Sequence, residues 1–192
     1  MEIPTDERIR VLHERCAPSR EAFELVYTHC LIVCAVAERL LRGREGEFDV
    51  ALVRAGALLH DIGVYRLGPG ESYLRHGLLG HELLAEAGLP EPFRRFCSCH
   101  TGVGITREDI ERQGLPLPPG DYVPSSGEEA LVMYADKFHS KTAPPVFVSA
   151  ATYRAGVGRF GAGKAERFDE LVREFGVPEL GDLAALHGHA VT

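Results

Sequence analysis

The sequence predicts an all-α protein that folds as a single domain. Apolar residues in its longest segments recur every three or four positions, which is the spacing of an α-helix. No segment shows the convincing alternation typical of a β-strand, and no internal repeat of about 20 to 50 residues occurs. With 192 residues, of which 45% are hydrophobic and 26% charged, the chain is long enough to bury one core.

The longest predicted helix covers residues 20–41. Ser19 can cap its first turn and Gly43 ends it, while its middle, LIVCAVA, is apolar nearly all round and therefore predicts a central position in the fold. A second helix is expected over residues 50–62, ended by Gly63, and a third over residues 74–87, ended by Gly88. A fourth begins after Pro90 and ends near residue 100.

The second half of the chain is less regular. Thr106 begins a short fifth helix through a Thr-Arg-Glu-Asp capping pattern. Residues 114–126 are rich in Pro, Gly and Ser and predict a long loop, which a sixth helix over residues 128–138 follows. A further helix is expected over residues 164–175, and the tail after Pro178 is expected to pack back or fray.

Charge and hydropathy exclude several classes of protein. The 21 Lys and Arg against 28 Asp and Glu give a net charge of −7, which argues against DNA or RNA as a main partner. No apolar run reaches the roughly 18 to 20 residues that span a bilayer, and the first ten residues are too polar for a signal peptide. We therefore expect a soluble, cytoplasmic protein with no membrane partner, whereas its oligomeric state stays open.

Polar residues able to bind a metal lie on otherwise apolar helices. His60 and Asp61 close the apolar helix over residues 50–62, where both can border one cavity because helical neighbours differ by about 100°. His29 lies among apolar residues of the longest helix and should be buried. Asp136 lies on the sixth helix, and its carboxylate would be costly to bury without a cation or strong donors.

Two more histidines extend this set. His76 begins the third helix beside Gly77 and Gly80, small residues that let another element approach closely, and His100 closes the fourth helix. Imidazole together with carboxylate suits Mn, Fe, Co, Ni or Zn, whereas carboxylates alone would have indicated Mg or Ca. The sequence therefore predicts a divalent transition-metal site assembled from five helices.

The order of these residues is what carries a resemblance to a known family. It reads His29, then His60-Asp61-Ile62-Gly63, then His76-Gly77-x-x-Gly80, then His100 and Asp136. This pattern resembles the HD-domain superfamily of metal-dependent phosphohydrolases in its HDIG form. The resemblance implies a helical bundle in which residues 19–141 form the metal-binding domain, residues 1–18 an N-terminal helical extension, and residues 142–192 a C-terminal helical extension packed on the same domain.

The resemblance also implies roles for the residues. His29, His60, Asp61 and Asp136 would form the basic metal site, while His76 and His100 would bind a second metal bridged by Asp61. One or two metals would activate a hydroxide that attacks a phosphate ester or anhydride of a nucleotide or another small phosphorylated substrate. Proximity in sequence makes Arg66 and Lys137 candidates to hold the substrate phosphate, although Lys137, as a helical neighbour of Asp136, can also face solvent.

Two other functions remain open at this level. The same ligand cage holds a di-iron centre in HD-type oxygenases that cleave C–C or C–P bonds, so the ligands alone do not separate an oxygenase from a hydrolase. A regulatory module that binds a nucleotide without turnover is the alternative outside enzymes, and the intact ligand set counts against it.

Several other residues have more than one interpretation. His81 rivals His76 as a ligand, but it lies some 140° further round the helix and outside the H-G-x-x-G pattern. His139, His187 and His189 are expected to be exposed. The segment 156–165 contains a literal G-x-x-x-x-G-K, but an alanine stands where a phosphate loop needs Ser or Thr, so we reject that motif while leaving Arg159 or Lys164 as residues that could reach a substrate.

Overall fold

The computed structural model describes residues 2–161 and 163–192, and within them the chain forms ten α-helices and one small sheet. The all-α prediction is confirmed. The helices are α1 Asp6–Cys16, α2 Arg20–Leu40, α3 Val50–Leu59, α4 His76–Glu86, α5 Glu91–Ser98, α6 Arg107–Gln113, α7 Gly127–Asp136, α8 Ala150–Val157, α9 Lys164–Phe175 and α10 Gly181–His187. The strands are β1 His139–Ser140, β2 Val146–Phe147 and β3 Ala190–Val191.

Helix α2 is the central helix, as its apolar middle predicts. The Ser19 side chain accepts a hydrogen bond from the backbone N–H of Ala22 at 3.1 Å and so caps its first turn. Residues such as Ile32, Val33 and Val36 have no exposed surface, and α2 packs against both α3 and α7. This position places the polar residues of α2 at the centre of the molecule.

Helix α3 ends earlier than the sequence predicts. It stops at Leu59, His60 is its C-cap, and the chain continues through Asp61 into a 3₁₀ turn, Ile62–Arg66, rather than in α-helix to residue 62. Because the backbone leaves the helix here, His60 and Asp61 lie at a helix end and not along a helix face.

Gly63 lets the turn after α3 pack closely against α4. A Cβ atom added at Gly63 would lie 2.0 Å from the carbonyl oxygen of His76 and 2.2 Å from the backbone nitrogen of Gly80. The turn therefore packs directly on the backbone of α4. In the same way, a Cβ at Gly77 would lie 2.6 Å from the carbonyl oxygen of Cys97, so α5 approaches α4 as the sequence predicts. These contacts bring α4 and α5 close to Asp61.

The segment between α6 and α7 contains no helix or strand element over residues 114–126, as its composition predicts. Helix α6 begins with the predicted capping box, in which Thr106 and Asp109 exchange side-chain and backbone hydrogen bonds. The long loop is held to the body of the protein at several points, among them Ile105 and Tyr122, which exchange backbone hydrogen bonds of 3.0 and 2.7 Å.

Helix α1 packs on α2 and α3 and contributes a buried histidine that the sequence analysis did not single out. His13 has no exposed surface, and its two ring nitrogens lie 2.9 Å from the carbonyl oxygen of Leu58 and 3.0 Å from the Tyr65 hydroxyl. Burial lowers the pKa of His13 to about 4, so the ring is neutral at pH 7. It donates to Leu58 and accepts from Tyr65, which ties α1 to both sides of the turn at Asp61.

The tail after Pro178 packs back onto the body of the protein. It forms α10 and then β3, which pairs in parallel with β2, while β2 pairs antiparallel with β1. The backbone N–H of Thr192 donates to the carbonyl oxygen of Phe147 at 2.9 Å. None of these strands was predicted, because strands of two residues are too short to show alternation. None of the helices in the described part of the chain is long and apolar enough to span a bilayer.

Replacing Gly63 with alanine should destabilise the fold by about 3 kcal/mol, because the new methyl group would meet backbone atoms that cannot move independently. Urea unfolding of Gly63→Ala and wild type measures this difference. Gly156→Ala is the matched control, since nothing lies within 4 Å of its added Cβ and alanine should stabilise helix α8 by about 0.5 kcal/mol. Equal stability of Gly63→Ala and wild type would contradict the packing described here.

Candidate metal centre

The six residues that the sequence predicts as metal ligands lie together in the structure. They come from the ends or the middle of five elements, and all of them except His60 line a cavity with a volume of about 530 Å³. Five of the side chains are buried, and that of Asp136 is 15% exposed. They are His29 on α2, His60 and Asp61 after α3, His76 at the start of α4, His100 after α5, and Asp136 at the end of α7.

A first group consists of His29 and three side chains that surround its Nε2 atom. This atom lies 3.0 Å from Asp136 Oδ1, 3.3 Å from Asp61 Oδ2 and 3.3 Å from His60 Nε2. His60 Nε2 is also 3.5 Å from Asp136 Oδ1. Two imidazoles and two carboxylates therefore direct nitrogen and oxygen atoms at one point.

A second group lies on the other side of Asp61. The Nε2 atoms of His76 and His100 are 2.9 Å apart, and Asp61 Oδ1 lies 3.5 Å from the first and 3.7 Å from the second. Asp61 thus directs one carboxylate oxygen at each group. Its position between two clusters of imidazoles is that of a carboxylate able to bridge two metal ions.

Backbone carbonyl groups orient three of the four imidazoles. The Nδ1 atom of His60 lies 2.7 Å from the carbonyl oxygen of Ala57, that of His76 lies 2.5 Å from Tyr73, and that of His100 lies 2.7 Å from Cys97. Each carbonyl accepts the Nδ1–H and leaves Nε2 facing the cluster, which is the usual arrangement of metal-binding histidines. His29 differs, because its Nδ1 lies 2.8 Å from Nδ1 of His139.

The ionisation states of these groups suit a metal. Burial, together with the nearby Lys141 ammonium, lowers the pKa of His29 to about 4, and burial lowers that of His76 to about 4. Although burial alone would raise the pKa of Asp61, the Lys141 ammonium and the surrounding imidazoles hold it well below its usual range. At pH 7 the imidazoles of His29 and His76 are thus neutral and the Asp61 carboxylate is charged, the forms that bind metal ions, whereas the nearby carboxylates of Asp61 and Asp136 help to raise the pKa of His60 despite its burial.

One buried atom tests whether the residues fit a metal. Asp61 Oδ1 is buried and has no hydrogen-bond partner within residues 2–161 and 163–192. A buried charged oxygen left without a partner is destabilising by about 1 to 3 kcal/mol or more. A cation held by this oxygen and by the nitrogens of His76 and His100 would remove that cost, and the donor set is one that divalent transition metals prefer. The residues therefore fit a metal ion.

Two lysines line the same cavity. The Nζ atom of Lys137 donates to Asp136 Oδ2 at 2.6 Å and to the carbonyl oxygen of His100 at 3.0 Å, so this side chain is buried and does not face solvent. Lys141 pairs with Asp61 Oδ2 and lies over the ring of Tyr73. Lys141 is not among the residues predicted from the sequence. It lies only five residues after Asp136, but the direction of its side chain depends on strand β1, which the sequence does not predict.

The structure does not bring Arg66 to the cavity. Its guanidinium lies against the carboxylate of Glu86, with nitrogen to oxygen distances of 2.8 and 2.5 Å, on the far side of the 3₁₀ turn. Lys164 is also elsewhere, because its Nζ donates to Asp109 Oδ2 at 2.5 Å and to the carbonyl oxygen of Gly104 at 2.7 Å. Arg159 lies over the ring of Phe160.

Four histidines outside the cluster have different surroundings. His81 lies 3.3 Å from the Ser98 hydroxyl oxygen and 2.8 Å from the Arg94 guanidinium, away from the six residues, so His76 is the histidine of α4 that joins them. The expectation that His139 is exposed is wrong: it is 5% exposed, because β1 turns it inward against His29. His187 and His189 are half-buried rather than exposed, because the tail packs back.

Comparisons with known proteins show the family to which the chain belongs. The HD domain family matches residues 26–141, more than half of the chain. An uncharacterized protein of Methanocaldococcus jannaschii is 41% identical over 116 residues, which are 59% of this chain and 65% of that protein. A tRNA (cytidine(56)-2'-O)-methyltransferase of Picrophilus torridus is 37% identical over 64% of this chain and 33% of its own length. The chain thus spans less than two thirds of these curated relatives.

A solved structure shows the same fold. It is the HD domain of the phosphodiesterase PgpH of L. monocytogenes in complex with cyclic-di-AMP, which superposes with a TM-score of 0.52 over 96% of this chain and 99% of that one at 16% identity. Its low identity limits the likeness to the fold. The family match rests instead on the segment that contains all six clustered residues. This protein is therefore a member of the HD domain family.

Proposed function

We propose that this protein is a metal-dependent phosphohydrolase that cleaves a phosphate ester or anhydride of a nucleotide or another small phosphorylated metabolite. The observation that carries the proposal is the buried Asp61 carboxylate, which directs one oxygen at each of two imidazole clusters. Two lysine ammonium groups at the same cavity support it, because they suit the phosphate group of a substrate.

In this proposal the predicted ligands divide between two metal ions. His29, His60, Asp61 and Asp136 hold the first, while His76 and His100 hold the second together with Asp61. Metal ions bound there would lower the pKa of a water molecule and offset the negative charge of the phosphoryl group. The ligand set suits Mn, Fe, Co, Ni or Zn, at one or two ions per chain.

Lys137 and Lys141 have different roles in binding the substrate phosphate. An ammonium group has three N–H donors, and Lys137 uses two of them on Asp136 and the carbonyl oxygen of His100. Its third donor has no partner among the described residues and can therefore meet a phosphate oxygen. Lys141 is 14% exposed at the cavity and pairs with Asp61 Oδ2, an oxygen that the first metal would also use. With that oxygen engaged, the Lys141 ammonium can turn to the phosphate.

The cavity favours a compact substrate with few charges. Among the described residues that line it, Lys137 and Lys141 are the cationic side chains, and Asp61 and Asp136 balance them. Much of the remaining wall is apolar or aromatic, formed by Leu25, Val64, Tyr73, Val148 and Tyr153. A phosphomonoester with an apolar or aromatic body, such as a nucleoside monophosphate, fits these walls better than a polyphosphate, which would need more cations.

The methyltransferase relative does not change this proposal. The aligned segment is 33% of that protein's length, so the activity in its name cannot be assigned to the matching part. The matched segment contains the histidines and aspartates of the cluster in this chain, and these residues suit metal-assisted hydrolysis.

The direct test is phosphate release by protein purified without chelator. We expect hydrolysis of nucleoside monophosphates and other phosphomonoesters with added Mn²⁺, Co²⁺ or Ni²⁺, slower reaction with nucleoside triphosphates and dinucleoside polyphosphates, and no reaction after treatment with EDTA. Near-stoichiometric iron, with oxygen uptake and no phosphate release, would replace the hydrolase with an oxygenase. Nucleotide binding without turnover would leave a regulatory module.

The two-cluster geometry predicts different losses from two ligand substitutions. Asp61→Ala should remove both bound metals and all activity, because its carboxylate serves both clusters, whereas His76→Ala should remove at most one metal equivalent. Elemental analysis of each variant measures the loss. His81→Ala is the matched control from the same helix and should keep full metal content. Full metal retention in Asp61→Ala would contradict the site assignment.

The cavity also predicts which cation binds the substrate. Lys141→Ala should lower kcat/KM about 10- to 100-fold, because a charge-assisted hydrogen bond to phosphate contributes roughly 1.5 to 3 kcal/mol. Arg66→Ala should stay within about twofold of wild type, since its ion pair with Glu86 lies at the surface. Metal content is measured in both variants to separate substrate binding from metal loss. A larger loss in Arg66→Ala would reverse the assignment.

A further inference from the structure

His29 is held differently from the other three histidines of the cluster. The Nδ1 atoms of His60, His76 and His100 lie against backbone carbonyl oxygens, whereas that of His29 lies 2.8 Å from Nδ1 of another side chain, His139. A backbone acceptor is fixed by the fold. Whether the His139 side chain can accept this hydrogen bond depends on the position of its ring and on which ring nitrogen carries the hydrogen.

A third imidazole continues this contact. The Nε2 atom of His139 lies 3.1 Å from Nδ1 of His189, and the two rings stack with centroids 5.2 Å apart and planes 19° apart. The three rings form a chain from the metal cluster to the segment that links α10 and β3. We call His29, His139 and His189 the imidazole chain.

We propose that His139 is the positioning residue that orients His29 for metal binding, and that His189 in turn orients His139. This inference rests on the metal site of the proposed function and adds two residues that lie outside the six predicted ligands. Neither residue is a metal ligand in this proposal, although His139 also lines the cavity. Both act through the direction and the tautomer of His29.

The hydrogen-bond directions are consistent along the whole imidazole chain. His29 Nε2 faces Asp136 Oδ1 at 3.0 Å and Asp61 Oδ2 at 3.3 Å, so a metal at this point needs the lone pair of Nε2 and leaves the hydrogen on Nδ1. The Nδ1–H of His29 then donates to Nδ1 of His139. That nitrogen is an acceptor only when His139 carries its hydrogen on Nε2, which in turn donates to Nδ1 of His189.

Packing fixes the position of the middle ring. His139 is 5% exposed and lies on β1, with its ring 5.1 Å from the ring of His29 and 5.1 Å from that of Phe147 on β2. Strand β1 pairs His139 with Phe147 directly. The ring therefore cannot leave His29 unless the small sheet changes.

The last residues of the chain fix the position of the outer ring. Helix α10 ends at Gly188 in the left-handed conformation, with φ 66°, and the backbone N–H of His189 donates to the carbonyl oxygen of Ala184 at 3.0 Å. Strand β3 follows and pairs with β2, and the N–H of Ser149 donates to the carbonyl oxygen of Thr192 at 2.9 Å. Residues 188–192 thus hold the His189 ring in place, and in this proposal they influence the orientation of His29 through that ring.

Co²⁺ binding by the full chain tests the inference. Three variants are compared with wild type: His139→Phe fills the space without an acceptor, His139→Asn restores an acceptor oxygen near the place of Nδ1, and His189→Phe removes the outer ring. His187→Phe is the matched control, because His187 also lies beside Phe147 and His189 but makes no hydrogen bond to the imidazole chain among the described residues.

We expect His139→Phe to weaken Co²⁺ binding about 10- to 100-fold in competition with a chelator, the usual effect of removing the partner of a metal-binding histidine. His139→Asn should recover most of this loss, His189→Phe should show a smaller loss, and His187→Phe none. The visible absorption bands of bound Co²⁺ should change in His139→Phe and return in His139→Asn. Thermal unfolding in excess chelator should be similar for both His139 variants.

The outcomes separate this inference from the proposed function. Wild-type affinity in His139→Phe, or an affinity in His139→Asn as weak as in an equally stable His139→Phe, would overturn the role of His139 alone. A wild type that binds Co²⁺ but hydrolyses no phosphate would overturn the proposed function and leave the imidazole chain intact. Absence of Co²⁺ binding in wild type would overturn both.

Discussion

The burial of the Asp61 carboxylate is the constraint on which the rest of the site depends. The side chain is 1% exposed, and burying a charge in this way is destabilising by several kcal/mol unless cations or donors surround it. One oxygen meets Lys141 and faces His29, while the other faces two imidazoles without a hydrogen bond from any described residue. A buried carboxylate with one unpaired oxygen favours the binding of a cation, which is the physical basis of the proposed metal centre.

The glycines of the motifs make this convergence possible. Gly63 lets the turn after α3 rest on the backbone of α4, and Gly77 lets α4 rest on the backbone of α5. Each contact is closer than any side chain permits, so His76 and His100 reach the second oxygen of Asp61. The glycines of the H-D-x-G and H-G-x-x-G motifs are therefore needed for helix packing, just as the histidines and the aspartate are needed as ligands. A methyl group at such a glycine would push the elements apart and move the ligands away from one another.

The sequence predicts those parts of the site that depend on local pattern. The six clustered residues could be found because each lies on a helix or at a helix end and because their order along the chain resembles that of the HD-domain superfamily. Helices α2 and α9 agree with their predicted bounds to within a residue. His139 and Lys141 could not be placed, because their directions depend on a strand of two residues that shows no alternation. Arg66 is the converse case: proximity to the motif suggested a role, but its direction is decided by Glu86, a partner twenty residues away.

Part of the site lies outside the segment that the family model matches. The family match ends at residue 141 and includes the six clustered residues, His139 and Lys141, whereas His189, Val148 and Tyr153 lie beyond it. The segment outside the match therefore supplies part of the cavity wall and the outer end of the imidazole chain. With a metal bound as proposed, we expect a change there to alter the shape of the cavity or the affinity for metal without replacing a ligand, because outer partners set the orientation of inner ones.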